Sequence, residues 1–288
     1  MNKQDKKVLA CVDQSHYADT VADYAAWAAR RLEAPLELLH VIDRHLEQGS
    51  GEDHSGAIGI NAQEQLLSTL SDKDAAIARA KRERGRVFLN RLRERALAAG
   101  APSVDMRQRH GALDDTLAEQ EDGVRLFVFG RRGASAETTQ RDLGRNVERV
   151  VRAVHKPILT VTEGFREPRR VMLAYDGTAV TRKGVDMIAG SPLFKGLPID
   201  IVMVGKERGD AERQLGWARE TLEAAGLQVV ADYLPGDPET VIAREIAARG
   251  IDMLLMGAWA HSPLRALIFG SKTTDLLRAA TIPTLLLR

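Results

Sequence analysis

The chain has 288 residues, 44% hydrophobic and 28% charged, enough for one large domain or two ordinary ones that each bury a core. With 41 basic and 40 acidic residues the net charge is +1, which excludes a global electrostatic pull toward nucleic acid or anionic lipid and leaves binding to a local site. A single cysteine, Cys11, excludes an intrachain disulfide, the polar start Met1 to Lys7 lacks a signal-peptide core, and no apolar run approaches the ~18 residues that span a bilayer, so a cytoplasmic protein is expected.

In chain order, a short apolar run at Val8 to Val12 reads as a strand, followed by helical periodicity over Tyr17 to Leu32 and a second strand at Leu36 to Ile42. Arg44 to Ser71 is rich in Gly, Ser, Gln and His with little periodicity, and reads as a loop or lid. His45 and His54 fall within it, at no spacing that matches a metal-ligand set. A helix follows at Arg79 to Ala99, then strands at Leu126 to Phe129, Ile158 to Val161, Val171 to Tyr175 and Ile199 to Val204. Helices over Ala211 to Ala225 and Pro238 to Ala248 and strands at Met253 to Met256 and Thr284 to Leu287 complete the pattern. Alternating strand and helix predicts parallel sheets.

The landmarks repeat. Asp13 matches Asp176 and Val41 matches Val204 at an offset of 163, while Gly111 and Gly236, Gly130 and Gly257, Gly144 and Gly270, and Pro157 and Pro283 match at 125 to 127. The first copy therefore carries roughly 37 extra residues after its second strand, an insertion at about 44–72. The expectation is a tandem of two α/β domains, 1–165 and 166–288, joined by the short charged link Thr162 to Arg169 and packed together as a pseudo-twofold pair. Each is a doubly wound, Rossmann-like, five-stranded parallel sheet of order 3-2-1-4-5, whose ligands collect at the carboxyl ends of strands one and four.

In the second copy those ends carry Asp176 and Gly257. A carboxylate there can accept hydrogen bonds from a ribose hydroxyl or an adenine amino group, or can cap the next helix. Glycine admits close backbone approach, though a turn needs one equally. Downstream, Gly270-Ser271-Lys272-Thr273 opens the last helix, where free N–H groups and the positive end of the dipole attract phosphate; Ser271 alternatively caps that helix. A Walker loop is rejected, because the glycine four residues before the Gly-Lys pair is absent.

Gly257-Ala-Trp-Ala260, nine residues, then Gly270-Ser271 resembles the G-x-x-G, nine residues, G-S/T signature of ATP-binding universal stress proteins, and the duplicated layout is similar to their tandem members. The resemblance implies Asp176 near adenine and ribose and Val204 lending its backbone to adenine. It further implies Gly257 and Ala260 in the phosphate loop, with Gly270, Ser271 and Thr273 on the phosphates of ATP, ADP or AMP, with which Mg can travel. Ala260 replaces the second glycine; His261, Ser262, Arg265 and Lys272 lie nearby and face either phosphate or solvent. The first copy keeps Asp13, Val41, Gly130 and Gly133, but ten residues precede Gly144 and Arg145-Asn146 replaces the hydroxyl residue. It is the weaker site, with Arg131, Arg132 and Arg145 as candidates for compensating charge.

The basic helix Arg79 to Arg95 lacks an aromatic platform and turns Val87, Phe88, Leu89 and Leu92 toward the sheet, so a solvated face is expected rather than a nucleic-acid site. No nucleophile, base and orienter assemble, and no metal site or catalytic residue is expected; the leading reading is a nucleotide-binding regulatory protein, with a slow ATPase or nucleotide-dependent enzyme in the same crevice, or a nucleotide-free stress protein acting through its surface, as the alternatives. Partners are expected to be an adenine nucleotide and an unidentified protein; the resemblance implies that the last strands of the two copies pair antiparallel with each other within the chain, and further self-association into a dimer through edge strands is left open.

Overall fold

The computed structural model describes residues 6–42, 60–131, 145–205, 209–258 and 281–288, of which 60–78 and 145–148 are described as helical backbone only. The first copy runs β1 (Lys7–Cys11), α1 (Ala18–Leu32), β2 (Leu36–Ile42), α2 (Ile60–Ala98), β3 (Val104–His110), α3 (Leu113–Ala118), β4 (Val124–Gly130), α4 (Arg145–Ala153) and β5 (Ile158–Val161). The second runs β6 (Val171–Ala174), α5 (Ala179–Ala189), a 3-10 turn (Pro192–Phe194), β7 (Ile199–Val204), α6 (Ala211–Ala224), β8 (Val229–Leu234), α7 (Pro238–Arg249), β9 (Met253–Gly257) and β10 (Thr284–Leu287).

All ten strands form one sheet of order β3-β2-β1-β4-β5-β10-β9-β6-β7-β8. Every pair is parallel except β5 with β10. The registers reproduce the repeat: Cys11 pairs Leu39 as Ala174 pairs Val202, and Gly130 pairs Val161 as Gly257 pairs Leu287. At the seam Leu159 lies opposite Leu285, flanked by Ile158 with Leu286 and Thr160 with Thr284. Pro157 and Pro283 differ by 126 positions, as do Leu159 and Leu285, so the pseudo-twofold axis passes through that leucine pair.

The buried strands are nearly continuous runs of branched aliphatics, as a sheet covered on both faces requires. One face packs against α1, α2, α5 and α6 around Trp27, Leu92, Phe194 and Leu222; the other holds Phe127, Val150, Ile246 and Leu254. Helix α1 is rich in alanine, which lets it lie close to the sheet, and it buries Val21, Tyr24 and Trp27. Helix α7 carries its own boundaries: Asp237 accepts from the Glu239 and Thr240 N–H groups, Pro238 opens the helix, and Gly250 closes it at φ 62°.

Three expectations are revised. Helix α2 begins at Ile60, so the later part of the segment read as a loop is helical, while 43–59 lie outside the described residues. Val87 is 58% exposed and does not face the sheet; Leu89 and Leu92 do. The basic residues of α2 are partly spent on neighbours, Arg91 and Arg95 pairing with Asp19 and Arg95 with Asp23 of α1, and Arg86 with Glu83. β5 and β10 pair with each other inside the chain, as expected of the last strand of each copy. The outer edges are β3 and β8, where Asp105, Arg107, Arg109 and Asp232 discourage edge-to-edge pairing.

No described helix is long and apolar enough to cross a membrane. Cys11 ends β1, and burial, reinforced by Glu37 and Asp13, pushes its thiol well above the ordinary value. Ellman's reagent at pH 8 is therefore expected to react with the native protein at least about tenfold more slowly than with free cysteine, and at the free rate in 6 M guanidinium. Equal rates in both solvents would contradict this.

Candidate nucleotide site

β1 and β4 in the first copy, and β6 and β9 in the second, are the neighbouring strands whose crossovers leave in opposite directions, so each copy opens a crevice at their carboxyl ends. In the second copy Asp176 stands just past β6. One oxygen, Oδ1, accepts from Thr178 N at 3.0 Å, Thr178 Oγ1 at 2.8 Å and Thr181 Oγ1 at 2.7 Å. Of the two readings of Asp176, these bonds are those of a residue serving the head of the next helix. It organises the turn into α5, whose N-cap Thr178 makes no side-chain cap bond, and it is held at a fixed angle while remaining solvent-exposed. Gly177 follows at φ 75°, a conformation that favours glycine, with Gln214 packed against it.

Val204 ends β7 on the other side of the gap. Gly205 N–H donates to Leu234 O at 3.1 Å, toward β8, and Tyr175 N–H donates to Val202 O at 2.9 Å, from β6. Because backbone groups alternate sides along a strand, the N–H and C=O of Val204 point toward β6, two residues past the last pair of that strand at Ala174. A donor and an acceptor thus face the crevice at a spacing suited to the edge of a planar base. Val41 is placed alike: Gly111 N–H donates to Ile42 O at 3.1 Å, so the Val41 groups face β1 beyond its end.

Gly257 closes β9. A Cβ there would stand 3.3 Å from Thr181 Cγ2 and 3.5 Å from Val180 Cγ1, so the first turn of α5 covers the strand end and requires a small residue whatever the ligand. The remaining second-copy candidates, Ala260, His261, Gly270, Ser271, Lys272 and Thr273, lie outside the described residues, as do Gly133, Gly144 and Arg132 in the first copy.

The two crevices differ. Asp13 Oδ1 accepts from the backbone and hydroxyl of Ser15, and Ala18, which carries no hydroxyl, occupies the position of Thr181. His40 Nδ1 lies 2.9 Å from Val12 O and its ring meets Phe88 edge-on, bringing α2 against the end of β2. Arg131 is not the phosphate clamp the spacing suggested. It is 8% exposed, and its guanidinium donates to Ile282 O at 3.1 Å and Thr284 Oγ1 at 3.3 Å in the second copy. Among the described residues no group of three His, Cys, Asp or Glu side chains is placed to hold a metal ion. Sequence spacing missed Thr178, Thr181 and Tyr175. The Tyr175 hydroxyl is buried beside the crevice with no hydrogen-bond partner among the described residues, and burial raises its pKa. A Thr-x-x-Thr pair two residues after an aspartate is the signal that could have found the first two.

The profile of the universal stress protein family matches residues 5–162 and again 168–288. Universal stress protein Slr1230 of Synechocystis sp. is 35% identical over 286 residues, spanning 98% of this chain and 100% of that protein. Among solved structures, a universal stress protein of Archaeoglobus fulgidus DSM 4304 superposes with a TM-score of 0.69 at 18% identity, over 98% of this chain and 96% of that one. A protein of unknown function from Pseudomonas aeruginosa PAO1 reaches 0.60 at 16%, over 98% and 92%. The two superpositions speak for the fold, and the paired profile matches and the full-length relative speak for descent: the chain belongs to the universal stress protein family, as a tandem two-domain member.

Proposed function

We propose that this chain is a regulatory protein that binds an adenine nucleotide, ATP in the first instance, in the crevice of its second copy, and that it acts in the cytoplasm. The observation that carries the reading is the pairing across one gap of a carboxylate fixed by three donors with the outward-facing N–H and C=O of Val204. Asp176 would accept from ribose or adenine, and Val204 would read the edge of adenine. Gly257, Ala260, Gly270, Ser271 and Thr273 would cradle the phosphates at a helix start, with His261 and Lys272 alongside and Mg entering with the nucleotide. The first copy, with Ala18 in place of the Thr181 hydroxyl, Arg145-Asn146 in place of Ser271 and Arg131 engaged at the seam, is the weaker binder. The site offers recognition rather than turnover, since phosphoryl transfer needs a positioned water or base, and among the described residues no such group stands beside Asp176 and Val204.

Calorimetric titration of ATP, ADP and AMP into nucleotide-stripped protein, beside Gly270→Val, tests this. About one nucleotide per chain is expected, abolished in the variant. Asp176→Ala is expected to weaken binding about 10- to 100-fold, the range for losing a hydrogen bond to a charged group. Absence of heat and of any thermal shift at millimolar nucleotide would sink the nucleotide reading.

A further inference from the structure

At the opposite end of the sheet from the nucleotide crevices, the two copies enclose a second pocket of about 350 Å³. Its walls are apolar: Leu32 and Leu126 from the first copy, and Met187, Phe194 and Leu285 from the second. Its polar lining is mainly cationic, with Lys6, Arg125 and Lys156 set against the exposed carboxylate of Asp186. Among the described residues none of those three cations is in an ion pair.

The internal repeat shows what is unusual about this pocket. The offset of 163 places Met187 where Tyr24 stands in the first copy and Gly190 where Trp27 stands. On that other side of the pseudo-twofold axis the space is filled: Tyr24 and Trp27 are each 1% exposed, and the interdomain link lies over them. Phe165 meets Tyr24 edge-on at 4.8 Å, and the Tyr24 hydroxyl donates to Arg166 O at 3.1 Å. The charge is inverted as well. Asp252 accepts from Arg169 N and Arg170 N on the filled side, and its counterpart on the open side is Arg125; Ile282 likewise gives way to Lys156. Two aromatic residues have become methionine and glycine, while an acid and an aliphatic have become cations. Among the described residues, one half of a symmetric seam is packed by the chain itself, and the other is left hollow, apolar within and positive at the rim.

We propose that this hollow binds a small amphipathic anion, an organic carboxylate with an apolar body, whose tail lies against Leu126, Phe194 and Leu285 and whose head meets Arg125 and Lys156. The volume lies at the small end of the range of about 300–1,000 Å³ typical of ligand pockets, which suits a single short acyl chain or one aromatic system. Because the walls come from both copies, such a ligand would bridge the seam and favour the assembled pair. The site is independent of the proposed nucleotide site and shares no residue with it.

The test is calorimetric titration of decanoate, and separately of decanol, into the full-length protein, its Gly190→Trp variant and an Arg125→Glu/Lys156→Glu variant. Gly190 has φ −90°, and a Cβ there would meet only Asp186 O, at 3.5 Å, so tryptophan can be installed where Trp27 stands on the other side without backbone strain. Decanoate is expected to bind the wild type at one site, about tenfold or more weakly to Gly190→Trp with the melting temperature retained, and about tenfold more weakly to the charge-reversed variant with decanol unaffected. Equal decanoate binding by wild type and Gly190→Trp, or decanol binding as tightly as decanoate, would overturn the proposal. So would absence of wild-type binding, the result expected if a second copy or the first five residues cover the hollow. Loss of ATP binding in Gly270→Val with decanoate binding intact would separate this site from the nucleotide site.

Discussion

Asp200→Ala is expected to lower the unfolding free energy by about 3 kcal/mol, read by urea denaturation, while leaving ATP affinity unchanged. Asp200 lies near the start of β7 with its side chain 1% exposed. Arg170 addresses it through two nitrogens, at 2.7 Å and 3.0 Å, and Arg249 through one at 3.1 Å. Arg249 is itself only 18% exposed and also bonds Asp232 and Glu245, so the carboxylate closes a network tying β6, β7, β8 and α7 together. Removing the acid leaves two guanidinium groups short of a partner, the arrangement in which a broken buried pair costs most. Arg249 keeps Asp232 and Glu245, which holds the loss below the extreme of that range. The first copy has the same device in weaker form: Glu37, with its side chain 6% exposed, takes Lys7 at 2.9 Å and Arg107 at 3.4 Å. A loss under about 1 kcal/mol would mean that the arginines find new partners, and a fall in ATP affinity would mean that the network reaches the site.

Which parts of this molecule could be read from the amino acids follows from burial. Eight strands are short apolar runs because both faces of the sheet are covered, and apolar runs are visible in a sequence. β3 and β8 were expected only as members of a five-stranded count. They are the outer strands, Val104–His110 and Val229–Leu234, each with no more than one buried residue, so charged side chains are tolerated and the apolar signal disappears. The start of α2 was obscured for a related reason, since its first turns carry the Gln, Ser and Asp of an unremarkable polar helix. The strand-end positions of Asp176, Val204 and Gly257 were legible because the apolar runs mark where each strand stops. The carboxylate's three donors were not, since a hydroxyl at Thr181 signals nothing until helix α5 brings it back over Asp176. Arg131 misled because charge near a glycine pair suggests phosphate, and only the antiparallel seam reveals that its guanidinium crosses to the other copy. The repeat was useful twice: matched positions located the site, and mismatched ones, Trp27 against Gly190 and Asp252 against Arg125, located the hollow.

Leu285→Asp is expected to cost more than any other single change at the seam, about 5 kcal/mol, and to split calorimetric unfolding into two transitions. Leu285 is 1% exposed and sits on the pseudo-twofold axis against Leu159, which is fully buried. Truncating such a leucine to alanine costs about 2–5 kcal/mol, and an ionised carboxylate without a buried partner adds a desolvation penalty. Arg131, buried in the seam, cannot relieve it. Arg131 engages Thr284, whose side chain points to the opposite face of the strand from that of residue 285. Other described ties between the copies lie along α1, where Arg31 donates to Leu193 O and Lys195 O, Arg30 pairs with exposed Glu167 and Tyr24 holds Arg166, and at the last residue, where Arg288 donates to Val151 O. These are single hydrogen bonds and one surface ion pair, worth about 1 kcal/mol or less each, too little to hold two domains in register once the shared sheet is lost. Leu285→Ala serves as the milder companion: it should stay folded, lose about 3 kcal/mol and keep a single transition. A single wild-type-like transition in Leu285→Asp would show that the helical ties, rather than the continuous ten-stranded sheet, make one cooperative unit of the two copies.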